Sequence, residues 1–225
     1  MVAQGADLHR VELDEGEPLP GLDGFDAIVA MGGPMSVNDE AEHPWLVEEK
    51  ALIRTAVERG VPFWGSCLGV QLLAASLGAR VYAGPAPEVG VLPVELTPEA
   101  ADDPVFAGLP QTVATLQWHG DTFDLPVGAV LLATSPAYRH QAFRVGPSAY
   151  GVQFHIEVTP SMGEEWATIP EYAAYADRVL GPGGSDAVLA DFRAATDEMQ
   201  GHARGMFERW LALVPAGAGH SSAST

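Results

Sequence analysis

Lysine occurs once in this chain, at Lys50, and cysteine once, at Cys67. Lys and Arg together number 11 against 30 Asp and Glu in 225 residues, a formal charge of −19. Neutralising phosphate backbones takes clustered Lys and Arg, so no nucleic-acid partner is expected. An anionic membrane surface is disfavoured for the same reason. No apolar run approaches the roughly 20 residues of a spanning helix. The opening stretch MVAQGADLHRVELDEGE lacks the basic start and apolar run of a signal peptide. A lone cysteine excludes a disulfide within the chain and any multi-cysteine zinc site. A reducing, cytoplasmic compartment is therefore expected. What the chain does have is material for a core. Hydrophobic residues make up 47% and charged ones 18%, unlike a disordered acidic chain. The length suits one large domain burying roughly 70% of its unfolded surface.

Short apolar runs alternate with helical patterns, the rhythm of an α/β fold with a parallel sheet. Strands are predicted at Leu8–Leu13, Asp26–Met31, Val61–Gly65, Ala79–Ala83, Val89–Thr97, Thr112–Trp118, Ala129–Thr134, Gln141–Val145 and Ala149–His155. Several of the later ones read as antiparallel. Helices are predicted over Pro44–Arg59, Leu68–Leu77 and about Asp186–Val214, the last with Ser185 as N-cap. In that last helix Val188, Phe192, Ala195, Met199, Ala203, Met206 and Trp210 recur every three or four residues, an apolar stripe facing the core. Residues 1–214 read as one domain and Pro215–Thr225 as a disordered tail.

The chemistry gathers at Gly65-Ser66-Cys67-Leu68-Gly69, between a strand and a helix. This pattern resembles a nucleophile elbow. A sharp turn strains the nucleophile's backbone and demands tiny neighbours two positions away. It lifts the sulfur out of the sheet to a helix N-terminus, where thiolate is favoured. The Leu68 amide then points to where an oxyanion would form. The plainer alternative is a buried cysteine in an ordinary glycine-rich turn. His155-Ile156-Glu157 weighs against that alternative. On an extended segment residues i and i+2 share a face, so Glu157 can orient His155 while the other ring nitrogen faces the thiol. A metal is not expected, since only His119 and Asp121 offer further ligands. Gly32-Gly33-Pro34 follows a strand but lacks a phosphate-loop lysine. A second oxyanion donor from the Gly33 amide fits it better.

Six segments, MGGPMSV (31–37), GSCLGVQLLA (65–74), EVGVLPVELT (88–97), QWHGD (117–121), QAFRVG (141–146) and YGVQFHIEVT (150–159), occur in one order and spacing. Together they resemble the class I, triad-type glutamine amidotransferases, in particular stand-alone GMP-synthase-like members. The resemblance implies a flavodoxin-like, mostly parallel sheet flanked by helices, with an added antiparallel section. It implies Cys67 as nucleophile, His155 as general base and acid, Glu157 as its partner, and Gly33 and Leu68 as oxyanion donors. Gly32, Gln71, Trp118, His119 and Asp121 match positions near the glutamine site. No cofactor is implied. Glutamine is the substrate, and ammonia passes to a separate synthetase. Ile156 and Val70 replace the family's frequent Pro and His. Family members begin with a strand and helix that have no match here, so the natural start is expected upstream.

Two other functions share these residues. One is hydrolysis of γ-glutamyl amides or peptides, and the other is a non-catalytic module sensing oxidation through Cys67. The remaining features read plainly. Glu12–Glu17 is a solvated loop, Asp102-Asp103-Pro104 a turn or cap, and Glu164 and Glu165 belong to a first helical turn. Trp166, Tyr172 and Tyr175 read as packing residues, with the mouth of the site as the alternative. His9, His43, His140, His202 and His220 have no triad-like context.

Overall fold

The computed structural model describes residues 5–215. The DAIVAM run becomes a short strand β1 (Ile28–Ala30), and the strand leading to Cys67 becomes β2 (Phe63–Ser66). Between them α1 (Trp45–Glu58) buries Leu46, Ile53 and Ala56 and ends beside Gly60, whose φ of 72° suits a helix stop. Helix α2 (Leu68–Ser76) follows β2 and is buried along nearly its whole length. Then come β3 (Val81–Leu96), the short helix α3 (Pro98–Ala101), β4 (Thr112–Phe123), β5 (Val130–Thr134), β6 (Ala142–Val145) and β7 (Ala149–Val152). Three helices close the chain: α4 (Pro160–Thr168), α5 (Pro170–Leu180) and α6 (Gly184–Leu211).

The seven strands form one sheet in the order β1-β2-β7-β6-β5-β3-β4. β1, β2 and β7 run parallel, with Ile28 opposite Phe63 and Phe63 opposite Ala149. Every pairing from β7 to β4 is antiparallel. The α/β fold with an added antiparallel section is thus present, with four antiparallel pairings to two parallel. Strand alternation sends neighbours to opposite faces. Phe63 joins Leu46, Ile53, Val70 and Leu73 under α1 and α2, whereas Trp64 joins Tyr150, Phe154, Met206 and Trp210 under α6. A third cluster, with Val89, Leu116, Val188, Phe192 and Met199, seats α6 on the β3–β4 hairpin. The predicted stripe of α6 is buried except Ala195, which is half-buried beside buried Thr196.

Five expectations change. Glu164 and Glu165 lie in the second turn of α4, because the helix already starts at Pro160 behind the Thr159 cap. Leu8–Leu13 is not a strand: residues 8–12 join no ladder although the outer edge of β1 is open, and Leu13 begins a single 3-10 turn (Leu13–Glu15). The two strands predicted between Ala79 and Thr97 are the single strand β3, whose register shifts between Ala83 and Glu88. Pro85 and Pro87 sit at that shift, where missing N–H groups cost no ladder bond. The strand predicted to reach His155 stops at Val152. Helix α6 starts before Ser185, with Gly183 as N-cap, and the Ser185 amide donates to Asp177 Oδ1 at 3.0 Å. The predicted tail lies, beyond Pro215, outside the described residues.

Candidate active site

At the end of β2 the chain must reverse into α2 within one residue. Cys67 takes that turn with φ 53° and ψ −108°, the one non-glycine residue with positive φ among those described. Its glycine neighbours are required by contact. A Cβ on Gly65 would stand 2.5 Å from the Gly69 carbonyl, and Gly69 itself lies against the carbonyl of Ala30. Cys67 is 8% exposed and caps α2, and its amide donates to Val152 O at 2.9 Å. Leu68 opens the helix, so its N–H belongs to the first turn, which has no intrahelical acceptor.

His155 arrives from the other strand end. It is fixed by two backbone bonds with Leu116 of β4, His155 N to Leu116 O at 2.8 Å and Leu116 N to His155 O at 2.9 Å. Its Nδ1 donates to Glu157 Oε1 at 2.6 Å, while the second carboxylate oxygen accepts the Ile156 amide at 2.9 Å. Burial opposes charge on the His155 ring. The Glu157 carboxylate and the coupling to Cys67 outweigh burial and raise its pKa well above the ordinary imidazole range. Burial likewise opposes charge on Glu157, and the His155 charge and hydrogen bond, with backbone donors, hold it below the usual carboxylate range. Gly32 closes the remaining side. A Cβ there would meet His155 Cε1 at 3.3 Å and Cys67 Cβ at 3.4 Å, so a side chain would sit tightly against both members of the pair. The Cβ direction of Gly33 is filled by Met35 and Leu68.

A cavity of about 1500 Å³ opens from this point. Gly32, Gly33, Leu68, Gln71, Trp118, His119 and Asp121 all line it beside Cys67, His155 and Glu157, so every site residue expected from the sequence borders one space. Gln71 is held by a buried bond from its Nε2 to Gln153 Oε1 at 3.0 Å. His119 and Asp121 lie within β4 rather than in a loop. His119 is 4% exposed and wedged in a polar network, with Nδ1 facing Asp121 O at 3.0 Å and Nε2 facing Glu88 Oε2 at 3.2 Å. Glu88 also accepts from Ser135 Oγ at 2.8 Å and Gln141 Nε2 at 2.7 Å. Burial pushes the Glu88 carboxyl up; these donors and the His119 charge bring it below its usual range. The Asp121 side chain accepts from Ser36 Oγ at 3.0 Å, tying the Gly32–Ser36 loop to β4. No group of three or more His, Cys, Asp or Glu side chains among the described residues is arranged to hold a metal ion. No helix among them is long and apolar enough to cross a membrane.

Sequence reasoning missed two parts of this site. Glu88 carries no visible sign of burial in a segment that starts a strand-like run. Helices α4 and α5 bring Met162, Trp166, Tyr172 and Tyr175 to the cavity wall; packing was the first expectation for the three aromatics and the mouth of the site its alternative, and Met162 carried no expectation. Their signals were present: Pro160 follows Thr159, whose side chain caps α4 by accepting from Met162 N at 3.3 Å, and Pro170 opens α5.

The family model of class-I glutamine amidotransferases matches residues 2–167. The glutamine amidotransferase-like protein YfeJ of Salmonella typhimurium is 37% identical over 155 residues, covering 67% of this chain and 64% of that protein. A glutamine-hydrolyzing GMP synthase subunit of Saccharolobus solfataricus is 33% identical over 156 residues, 68% of this chain and 78% of that one. The match extends over about 25% of the length of larger GMP synthases. The crystal structure of a glutamine amidotransferase from Thermotoga maritima superposes with TM-score 0.83 at 31% identity, covering 93% of this chain and 89% of that one.

Proposed function

This chain belongs to the class-I glutamine amidotransferase family, and we propose that it hydrolyses the side-chain amide of glutamine with Cys67, His155 and Glu157 as a catalytic triad. The observation that carries the reading is the short His155–Glu157 bond, 2.6 Å, on a ring that borders the same point of Gly32 as the Cβ of Cys67 at its strained turn. A raised His155 pKa means that the imidazolium persists at neutral pH beside the sulfur. Cys67 thiolate adds to the glutamine carbonyl carbon. The Leu68 and Gly33 amides hold the resulting oxyanion, a contribution of roughly 3–4 kcal/mol per donor in comparable sites. His155 gives its proton to the departing ammonia. It then takes one from water, which cleaves the γ-glutamyl thioester to glutamate. Glu157 keeps the ring in the orientation both transfers need. Gly32, Gln71, Trp118, His119 and Asp121 shape the glutamine site.

The catalytic unit we assign runs over residues 1–214. Its ammonia goes to a separate synthetase, a reading supported by the match to a protein named as one subunit of a GMP synthase. Purified protein given glutamine is expected to release glutamate, and Cys67→Ala is expected to abolish the release. Release that survives in Cys67→Ala contradicts the assignment.

A further inference from the structure

Ammonia, the leaving group from glutamine, needs no wall to hold it. Yet the side of the site next to the proton donor is built from aromatic rings. Trp166 stands edge-on to His155, with centroids 5.2 Å apart and planes at 87°. Tyr172 meets Trp166 at 5.8 Å, and Trp118 meets Tyr172 at 6.0 Å. Each of the three rings is half-buried, and each borders the same cavity as Cys67. The neighbouring Tyr175 carries Arg178 over its ring at 5.0 Å, and its hydroxyl lies against Gly120.

The chemistry fixes which side of the substrate meets this wall. The oxyanion must point to the Leu68 and Gly33 amides, and the leaving nitrogen must reach the His155 proton. A substituent on that nitrogen lies on the His155 side of the site, where Trp166 stands 5.2 Å from the imidazole and Tyr172 and Trp118 follow in the same cavity wall. The cavity, at about 1500 Å³, is well beyond the space a free glutamine side chain fills.

We propose that Trp166, Tyr172 and Trp118 form a subsite for the leaving group, and that, beside glutamine, the site takes substituted γ-glutamyl amides and among these prefers those of aromatic or bulky apolar amines. This rests on the amide-hydrolysing reading of Cys67. In the reaction the Cys67 sulfur forms a bond to the γ-carbonyl carbon, and the C–N bond breaks. The amine departs with the proton from His155. Water then adds to the thioester carbonyl, giving up one proton to His155 while the sulfur leaves. The sum is γ-glutamyl amide plus water to glutamate plus free amine.

The test compares γ-glutamylbenzylamide with γ-glutamylmethylamide, both alkylamine leaving groups, with glutamine run in parallel. Ring contacts of this kind are worth enough to favour the benzylamide by about tenfold or more in kcat/KM. Tyr172→Ala is expected to bring the ratio near one, and Tyr172→Phe, which keeps the ring, to preserve it. Equal kcat/KM for the two amides overturns the subsite and leaves the amide-hydrolysing reading intact. A benzylamide preference that survives Tyr172→Ala overturns the assignment to this wall. No turnover of any of the three substrates, with Cys67 unreactive to a glutamine-mimicking electrophile, removes both readings together.

Discussion

Three side chains carry the proposed reaction, and each is held by a different kind of force. Cys67 is held by backbone geometry, His155 by its two bonds to Leu116, and Glu157 by the Ile156 amide and the His155 ring. Glu157 favours the protonated ring, so Glu157→Gln lowers the His155 pKa. The alkaline limb of the kcat/KM profile, set by loss of the imidazolium proton, is then expected at lower pH. The same variant is expected to lose at least about tenfold in kcat/KM. A pH–rate series on both proteins checks this. An unmoved alkaline limb would mean that Glu157 does not govern His155. These residues were legible in the sequence because their signals are local. Glycines at positions two away from Cys67 announce the turn, and His155-Ile156-Glu157 places two side chains on one face.

At the scale of elements, legibility falls wherever a distant partner decides the outcome. Leu8–Leu13 reads like a strand but leaves the open edge of β1 unpaired and ends in a 3-10 turn. β3 reads as two strands because Pro85 and Pro87 interrupt its pattern, yet β4 pairs on both sides of the shift. The aromatic wall stays an alternative to plain packing until α4 and α5 fold over the site. Asp103 shows the reverse case, a short-range cue that the structure extends. Its Oδ1 caps the next turn by accepting from Val105 and Phe106 amides at 2.9 and 3.2 Å. Its Oδ2 accepts from Arg144 of β6 at 2.8 Å and Tyr150 of β7 at 3.3 Å. Asp103 is 2% exposed, so Asp103→Ala leaves a cation and a phenol without their acceptor. Urea unfolding is expected to show a loss of about 2–4 kcal/mol, reduced here because Arg144 is partly solvated. Asp103→Asn, which keeps the cap but not the charge, is expected to lose less. A loss under about 1 kcal/mol for Asp103→Ala would show that the pairing adds little.

Across the whole molecule, one open space links the catalytic pair to α1, β1 and the segment 9–25. Glu49 of α1 borders it, and burial raises its pKa from 4.5 to about 7. A carboxyl with a raised folded-state pKa favours the fold only while protonated. It therefore costs nothing below about pH 4.5, destabilises increasingly as pH rises to 7, and reaches its full cost above that. Glu49→Gln is expected to raise stability by roughly 1–3 kcal/mol at pH 8 and to change little at pH 4. Denaturation curves at the two pH values check this, and an equal effect at both would contradict a raised pKa at half-buried Glu49. The formal charge of −19 adds a separate property of the whole, a net repulsion of polyanions.

The most direct test of the central claim is covalent labelling of the protein with a glutamine-mimicking diazo-ketone, followed by peptide mass mapping. One adduct is expected, on Cys67, suppressed by excess glutamine. An adduct that glutamine does not suppress, or a folded protein whose Cys67 stays unlabelled, would contradict a glutamine-hydrolysing site at the β2–α2 turn.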